Sequence, residues 1–435
     1  MSQNYTTRII NYALQTCGFY PLRPVQLWLI DTHFNKAKST MMNIGVLYKY
    51  HDEIDLEKLA QAINETVENH DIFRARLIFH EGTDDLCQRF DGEIFPVQVE
   101  KISDEEFEER KKELTKPYKL INNPLYRIKL FETPSGKFAY FDFYHAMVDG
   151  MAVSMLFKRE FENRYNGKKI RHESLRYADY ILEELRVSPE ELAEGNKYWR
   201  DMLKDFDEKK HLPPADLYDD NEWKSKDIYT ALKNISANHF KIGKRKEHIF
   251  FLAASMLAIA KSAGEKKSIM SWIHNGRMNS RERRLLGIML EQFPISWNFE
   301  NNITVGKFLD GLEERMNEEM KYRRSLSTVY SEGLQNDCAT FIFQKETLGI
   351  YGSYGGTTPA SSLEAEVVSL PENKYSAAEN TLDIEVSSSE QGIYFLRLDY
   401  DASRYSENAM ENFVETFDKI VLQLQNEKIL VSDIL

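Results

Sequence analysis

A strand that runs directly into a His-x-x-x-Asp-Gly turn and leaves it as a helix constrains this chain more than any other feature. The run Gly136 to Tyr144 reads Gly-Lys-Phe-Ala-Tyr-Phe-Asp-Phe-Tyr. Its aromatic content and glycine boundary predict a strand. Met151 to Tyr165 places Val153, Leu156, Phe157 and Phe161 near helical spacing, which predicts a helix. His145-Ala146-Met147-Val148-Asp149-Gly150 lies between the two. Side chains at such edges are aimed by a rigid element, so His145 is a candidate catalytic base. Gly150 lets a backbone approach a ligand closely. The same residues also suit a plain turn in which Asp149 caps the helix, with His145 a satisfied structural residue. The local pattern leaves both readings open.

The flanking chain mixes strands and helices throughout. Met42 to Tyr50 predicts a strand, and Asp55 caps a helix that presents Leu56, Leu59, Ile63 and Val67 on one face. Phe73 to His80 alternates as a strand. Pro124 to Phe131 and Lys137 to Tyr144 form a hairpin around Thr133-Pro134-Ser135-Gly136. Glu183 to Asp207 is charged and helical, and His211 to Asp220, with Pro213-Pro214, reads as a linker. Ile249 to Ala260 is a buried helix, Ser268 to His274 and Thr340 to Gln344 are strands, and Thr304 to Arg324 is a long charged helix. Thr381 to Ser387 pairs with Ile393 to Tyr400, and Ser406 caps a last helix. Two similar α/β halves facing each other would place a cleft between them, a usual location for a site.

Composition removes several function classes. The chain has 435 residues, 42% of them apolar, enough for two domains or one large double domain. A net charge of −13 argues against nucleic acid and anionic membrane surfaces as partners. Cys17, Cys87 and Cys338 are odd in number and far apart, which reads as reduced thiols in a cytoplasmic protein, with no disulfide framework and no metal site. No run reads as a signal peptide, and Ile249 to Ala260 is too short for a membrane span.

Motifs in a fixed order then carry a resemblance. Pro21-Leu22-Arg23-Pro24-Val25-Gln26-Leu27-Trp28-Leu29, Asn69-His70-Asp71-Ile72-Phe73-Arg74-Ala75-Arg76-Leu77 and Pro124-Leu125-Tyr126-Arg127 precede the His145 turn. Tyr177-Ala178-Asp179-Tyr180, Tyr198-Trp199, Asn275-Gly276-Arg277, Leu286-Gly287, Phe293-Pro294-Ile295 and Leu398-Asp399-Tyr400-Asp401 follow it. Together they resemble the condensation domains of nonribosomal peptide synthetases, within the chloramphenicol-acetyltransferase-like acyltransferases, over nearly the whole chain. The resemblance implies an α/β (α+β) fold: two such half-domains, residues 1–175 and 176–435, in a V-shape with a central tunnel and His145 at its middle. Two positions depart from the family. Tyr144 stands where the family has a first histidine, and no His-Gln-Asp-x-Pro-Phe motif follows the long helix, where Ser325 to Glu332 stands instead. The next motif is likewise unrecognisable around Asn336-Asp337.

What the resemblance implies for chemistry is acyl transfer from a phosphopantetheine thioester, on a carrier protein or coenzyme A, to an amine. Ester formation on a hydroxyl acceptor, and an inactive docking domain, are the alternatives. A thioester is already activated, and no Gly-x-Ser-x-Gly nucleophile motif is present, so the acceptor attacks directly. His145 accepts or orients its proton, and the N–H of Gly150 helps hold the oxyanion. In the family the aspartate pairs with an arginine that shapes the loop; by order along the chain this is Arg277, giving a buried Asp149–Arg277 pair between the halves. Arg277 would otherwise be the end of a solvated basic run that continues to Arg284. Tyr144, and the basic run Lys244, Arg245 and Lys246, are assigned to substrate or carrier binding through the arm's phosphate. Gly352-Ser353-Tyr354-Gly355-Gly356 reads as a tight loop rather than a phosphate loop. The expected partners are acyl or peptidyl carrier proteins, on other chains, and a small amine or alcohol, with the protein a monomer that holds no tightly bound cofactor. The chain is expected to be freestanding or an excised domain.

Overall fold

A computed structural model describes residues 18–35, 39–80, 84–170, 176–184, 186–204, 211–217, 224–242, 245–299, 302–331, 338–345, 363–370, 381–389 and 391–435. Contacts divide the chain into two compact units. The first comprises Met1–Arg186, Asn275–Leu290 and Leu348–Ser376; the second comprises Val187–His274, Glu291–Thr347 and Ala377–Leu435. Two segments from the second half of the chain are thus packed with the first unit.

The first unit is built on a five-stranded sheet in the order Ala365–Val367, Asn43–Tyr50, Gly136–Tyr144, Tyr126–Thr133 and Val99–Lys101. The hairpin forms as its sequence predicts, with Thr133 opposite Gly136. Asn43–Tyr50 pairs antiparallel along the full central strand, from Asn43 opposite Tyr144 to Tyr50 opposite Lys137. Strand alternation sends Phe141 to one face, where Phe157 and Phe161 pack on it at centroid distances of 4.7 and 5.7 Å. Tyr140 goes to the other, with Leu47, Phe107, Phe131 and Phe138. Asp55 caps the helix Leu56–Asn69 as expected, accepting from the backbone N–H groups of Glu57 and Lys58.

The second unit is built on a six-stranded mixed sheet: Ser225–Ala231, Tyr394–Asp401, Leu382–Ser388, Ala339–Lys345, Lys267–His274 and Glu291–Asn298. Pro294 lies inside the last of these, tolerated because that strand is an edge and needs no donor on its open side. The helix Glu247–Ala263 is buried without a break from Ile249 to Ala260. Each large apolar side chain so buried contributes about 1.5–3 kcal/mol. Its apolar circumference belongs to this core, and among the described residues no helix is long and apolar enough to cross a membrane.

Several boundaries differ from the sequence reading for local reasons. Phe73 is not in a strand: Asp71–Arg74 forms a 3-10 turn, and the strand begins at Arg76. The charged region from Glu183 is two helices, because Pro189 fills the first position of a new one capped by Ser188. The long helix from Val305 is α-helical to Glu319 and tightens to 3-10 over Met320–Ser325. Residues 211–217 are no free linker. His211 and Leu212 are buried, and Tyr405 donates its hydroxyl to the Pro213 carbonyl at 2.9 Å.

Candidate active site

His145 follows the last residue of the strand Gly136–Tyr144. Its N–H donates to the Met42 carbonyl at 2.8 Å, extending the sheet ladder by one bond past the strand. The turn then closes through Met147 N–H to the Tyr144 carbonyl at 2.9 Å. The imidazole is partly buried, and its Nδ1 is buried with no hydrogen-bond partner among the described residues. Among the described residues, no carboxylate stands behind the ring in the way that orients a histidine in a catalytic triad.

Asp149 supplies the rigidity of the turn. One carboxylate oxygen, Oδ1, caps the helix that begins at Gly150 by accepting from the Ala152 N–H at 2.8 Å. The other, Oδ2, accepts from Arg277 Nη1 at 2.8 Å, from the Met289 N–H at 2.8 Å and from the Leu290 N–H at 3.1 Å. Burial opposes ionisation of this carboxyl, but the Arg277 guanidinium and the N–H donors outweigh it and hold the pKa below the usual range. Arg277 is buried too, and its second nitrogen Nη2 donates to the Gly287 carbonyl at 3.0 Å. The cap and the ion pair, which the sequence offered as separate readings of Asp149, are the same residue's two oxygens. The pair lies inside the first unit, since the segment Asn275–Leu290 packs there.

Glycines make this approach feasible. Gly276 has φ +67°, and a Cβ there would sit 1.7 Å from the Met289 carbonyl oxygen. At Gly287 a Cβ would sit 2.2 Å from the Tyr177 ring. The Tyr177 hydroxyl donates to the Ile288 carbonyl at 2.8 Å, and so does Arg23 Nη1 at 2.8 Å. Asp71 closes the ring of motifs, accepting from the Tyr177 and Ala178 N–H groups at 3.1 and 3.0 Å. Motif residues spread from Arg23 to Gly287 thus meet around one turn.

Tyr144 is wholly buried, with its ring 5.5 Å from both His33 and Tyr118. It occupies the core rather than a ligand surface, because it shares the face of the strand that carries Tyr140 and Asp142. Gly150 is the first residue of its helix. Arg245, in the second unit, is paired with Asp310 and with Glu427 at 2.8 Å, and Lys246 with Glu313 at 2.7 Å. A phosphate reaching either would have to displace a carboxylate. Lys244, Cys17, Asn336, Asp337 and the glycine run 352–356 lie outside the described residues. Cys87 is buried, with its thiol donating to the Ile78 carbonyl at 3.4 Å.

Two charged clusters went unread in the sequence. Asp142 is fully buried; burial raises its pKa, against the opposing pull of Arg127, whose Nη1 sits 2.9 Å away, and Asn43 Nδ2 donates to it at 2.9 Å. Glu160, also buried, meets His70 Nε2 at 3.2 Å, Arg159 at 2.9 Å and Arg164 at 3.3 Å. Burial alone would raise its pKa, but these partners bring it down to about 2. Glu160 falls in a π-helical turn, Leu156–Phe161. The five-residue step between buried Leu156 and Phe161 was the available signal for it.

Known proteins are similar to this chain in sequence and in fold. The family model for the condensation domain matches residues 16–428. Bacitracin synthase 1 of Bacillus licheniformis is 24% identical over 275 residues, 60% of this chain but 5% of that protein. The chain therefore spans about one-twentieth of the length of that relative. The condensation domain from the monacolin K polyketide synthase MokA superposes with a TM-score of 0.75 at 19% identity, covering 95% of this chain and 99% of the other. The X-domain in its complex with OxyB from teicoplanin biosynthesis gives a TM-score of 0.76 at 13% identity, covering 96% of each. At such identities the structural likeness establishes the fold.

Proposed function

Since this chain belongs to the condensation-domain family, we propose that it is an acyltransferase that moves an acyl group from a phosphopantetheine thioester to an amine. The observation that carries the reading is the His145 turn: an imidazole at a strand end, on a backbone locked by a buried Asp149–Arg277 pair. In the proposed step the amine nitrogen attacks the thioester carbon and forms the C–N bond. The carbonyl oxygen takes negative charge, and the Gly150 N–H is the donor assigned to it. His145 accepts the proton released by the attacking nitrogen and passes it to the departing sulfur as the C–S bond breaks. The products are an amide and a free thiol. Because Nδ1 is shut inside the protein, Nε2 is the nitrogen assigned to this relay.

The donor is assigned to the tip of a flexible arm on a carrier protein or coenzyme A, with the carrier on the outside. Transfer to a hydroxyl uses the same geometry and differs only in the attacking atom. The test incubates the protein with acyl thioesters of coenzyme A, of a carrier protein and of a short simple thiol, against amine and alcohol acceptors, and reads products by mass spectrometry. Amide formation that His145→Ala reduces by roughly a hundredfold or more supports the reading. Near-normal turnover by a folded His145→Ala protein would remove His145 from the chemistry. No product from any donor would leave a docking role, with the family fold used for binding alone.

A further inference from the structure

We propose that Gln26 is the positioning residue that aims the His145 imidazole. The proposal rests on the catalytic reading of His145 and adds what sets its direction. A catalytic histidine is ordinarily held by a hydrogen bond on the nitrogen that does not react. Here Nδ1 has no such partner among the described residues. The direction of the ring must then come from the backbone that carries it and from packing.

That backbone is pinned on both sides of the histidine. Before it, the His145 N–H is bound to the Met42 carbonyl at 2.8 Å. After it, the Ala146 carbonyl accepts from Gln26 Nε2 at 2.9 Å. The two bonds fix the peptide units that flank the short segment bearing the imidazole.

Gln26 has no freedom to do otherwise. It is the third residue of the helix Pro24–Asn35, where its Oε1 reaches back to the Arg23 N–H at 2.9 Å, the glutamine half of a capping box. Its amide also faces that of Gln88 in a reciprocal pair, Nε2 to Oε1 at 3.2 Å and Oε1 from Nε2 at 3.1 Å. Gln88 in turn donates to the Pro21 carbonyl at 2.9 Å. Both glutamines are fully buried. A buried amide that loses a partner is left without compensation, so a network in which every group is used holds one arrangement. The Gln26 amide also meets the chain at Ala146, 120 residues away in sequence.

The experiment separates aiming from mere packing. Gln26→Met keeps the volume and removes the donor to Ala146. Gln88→Met breaks the same amide pair but leaves the Gln26–Ala146 bond available. Both should lower the melting temperature. Gln26→Met should lower kcat about 10- to 100-fold with KM changed less than about threefold, while Gln88→Met stays within about threefold in both. A second readout does not depend on turnover: the His145 imidazole resonance, assigned by its loss in His145→Ala, should shift or broaden in Gln26→Met and stay put in Gln88→Met. If Gln26→Met does not fold, Gln26→Asn, which keeps the amide but falls short of Ala146, replaces it with the same expectations. Equal effects of the two sites on kcat and on the resonance, or no effect of either, overturn the proposal. If the wild-type protein transfers no acyl group, the catalytic reading fails, and the resonance arm still decides whether Gln26 sets the ring.

Discussion

Asp149 serves the turn from both of its oxygens, and this makes its energetics asymmetric. Removing Arg277 leaves a buried carboxylate with only N–H donors, and removing Asp149 leaves a buried guanidinium facing carbonyls. Stranding one half of such a pair typically costs about 3–5 kcal/mol. Removing both strands neither charge, so the double variant should be less damaged than the sum of the singles. A double-mutant cycle on Asp149→Ala and Arg277→Ala, followed by chemical denaturation, should give a coupling above about 1 kcal/mol. Additive losses would mean that the two charges do not stabilise each other. The family resemblance named both partners, by the order of the motifs along the chain. It did not show that the same carboxylate also gathers two backbone N–H groups from Met289 and Leu290. Backbone donors leave no mark on residue type.

At the scale of elements, legibility followed the strength of the repeat. The helices Leu56–Asn69 and Glu407–Leu424 carry an apolar stripe and a capping Asp or Ser, and both appear where the pattern places them. The strand Leu86–Arg89 has no such pattern, because Cys87 and Gln88 are buried together and period-2 alternation is lost. The helix Pro24–Asn35 was visible as a motif rather than as a helix, although Pro at its first position and Gln at its third are helix-start signals. The turn Asn275–Gly276–Arg277 was recognised by its residues, but the demand on its glycine is visible only in three dimensions. With φ at +67° and a carbonyl oxygen 1.7 Å from any Cβ, Gly276→Ala cannot be absorbed by a side-chain rotation. We expect Gly276→Ala to cost at least about 2 kcal/mol in denaturant unfolding and to lower acyl transfer with it. Gly264→Ala is the control, since its φ is the same but no atom lies within 4 Å. Equal losses at both would assign the cost to backbone conformation alone.

For the whole molecule, buried carboxyls set opposing pH dependences. Burial raises Asp142 to about 6, against the pull of Arg127, and raises Glu319 to about 8, against the Trp272 N–H and Arg315. A carboxyl raised in the folded state binds its proton more tightly there, so its stabilising contribution is full below the unfolded pKa and is lost as pH rises through the folded one. Glu160 runs the other way. With a folded value of about 2 against an ordinary 4.5, its contribution is present above about 4.5 and disappears as pH falls toward 2. Asp149, also lowered, adds in the same direction. Melting temperature should therefore rise as pH is lowered from about 8 toward about 5, then fall steeply below about 4.5. Glu160→Gln should flatten the acid limb and Glu319→Gln the alkaline one. An acid limb unchanged by Glu160→Gln would mean that its partners do not favour the charged form in solution.

The segment Asn275–Leu290 leaves the second unit's sheet at His274, packs with the first unit, and rejoins the same sheet at Glu291. This detour has a consequence in time. A nascent chain that has emerged only as far as Arg186 holds most of the first unit's residues but not the guanidinium 128 positions beyond Asp149. Contacts of such sequence separation form slowly, and domains otherwise tend to fold in order of synthesis. The turn that carries His145 must wait on the ribosome for a loop belonging to the next stretch of chain. The Asp149–Arg277 pair that holds it closes only once that loop has been made.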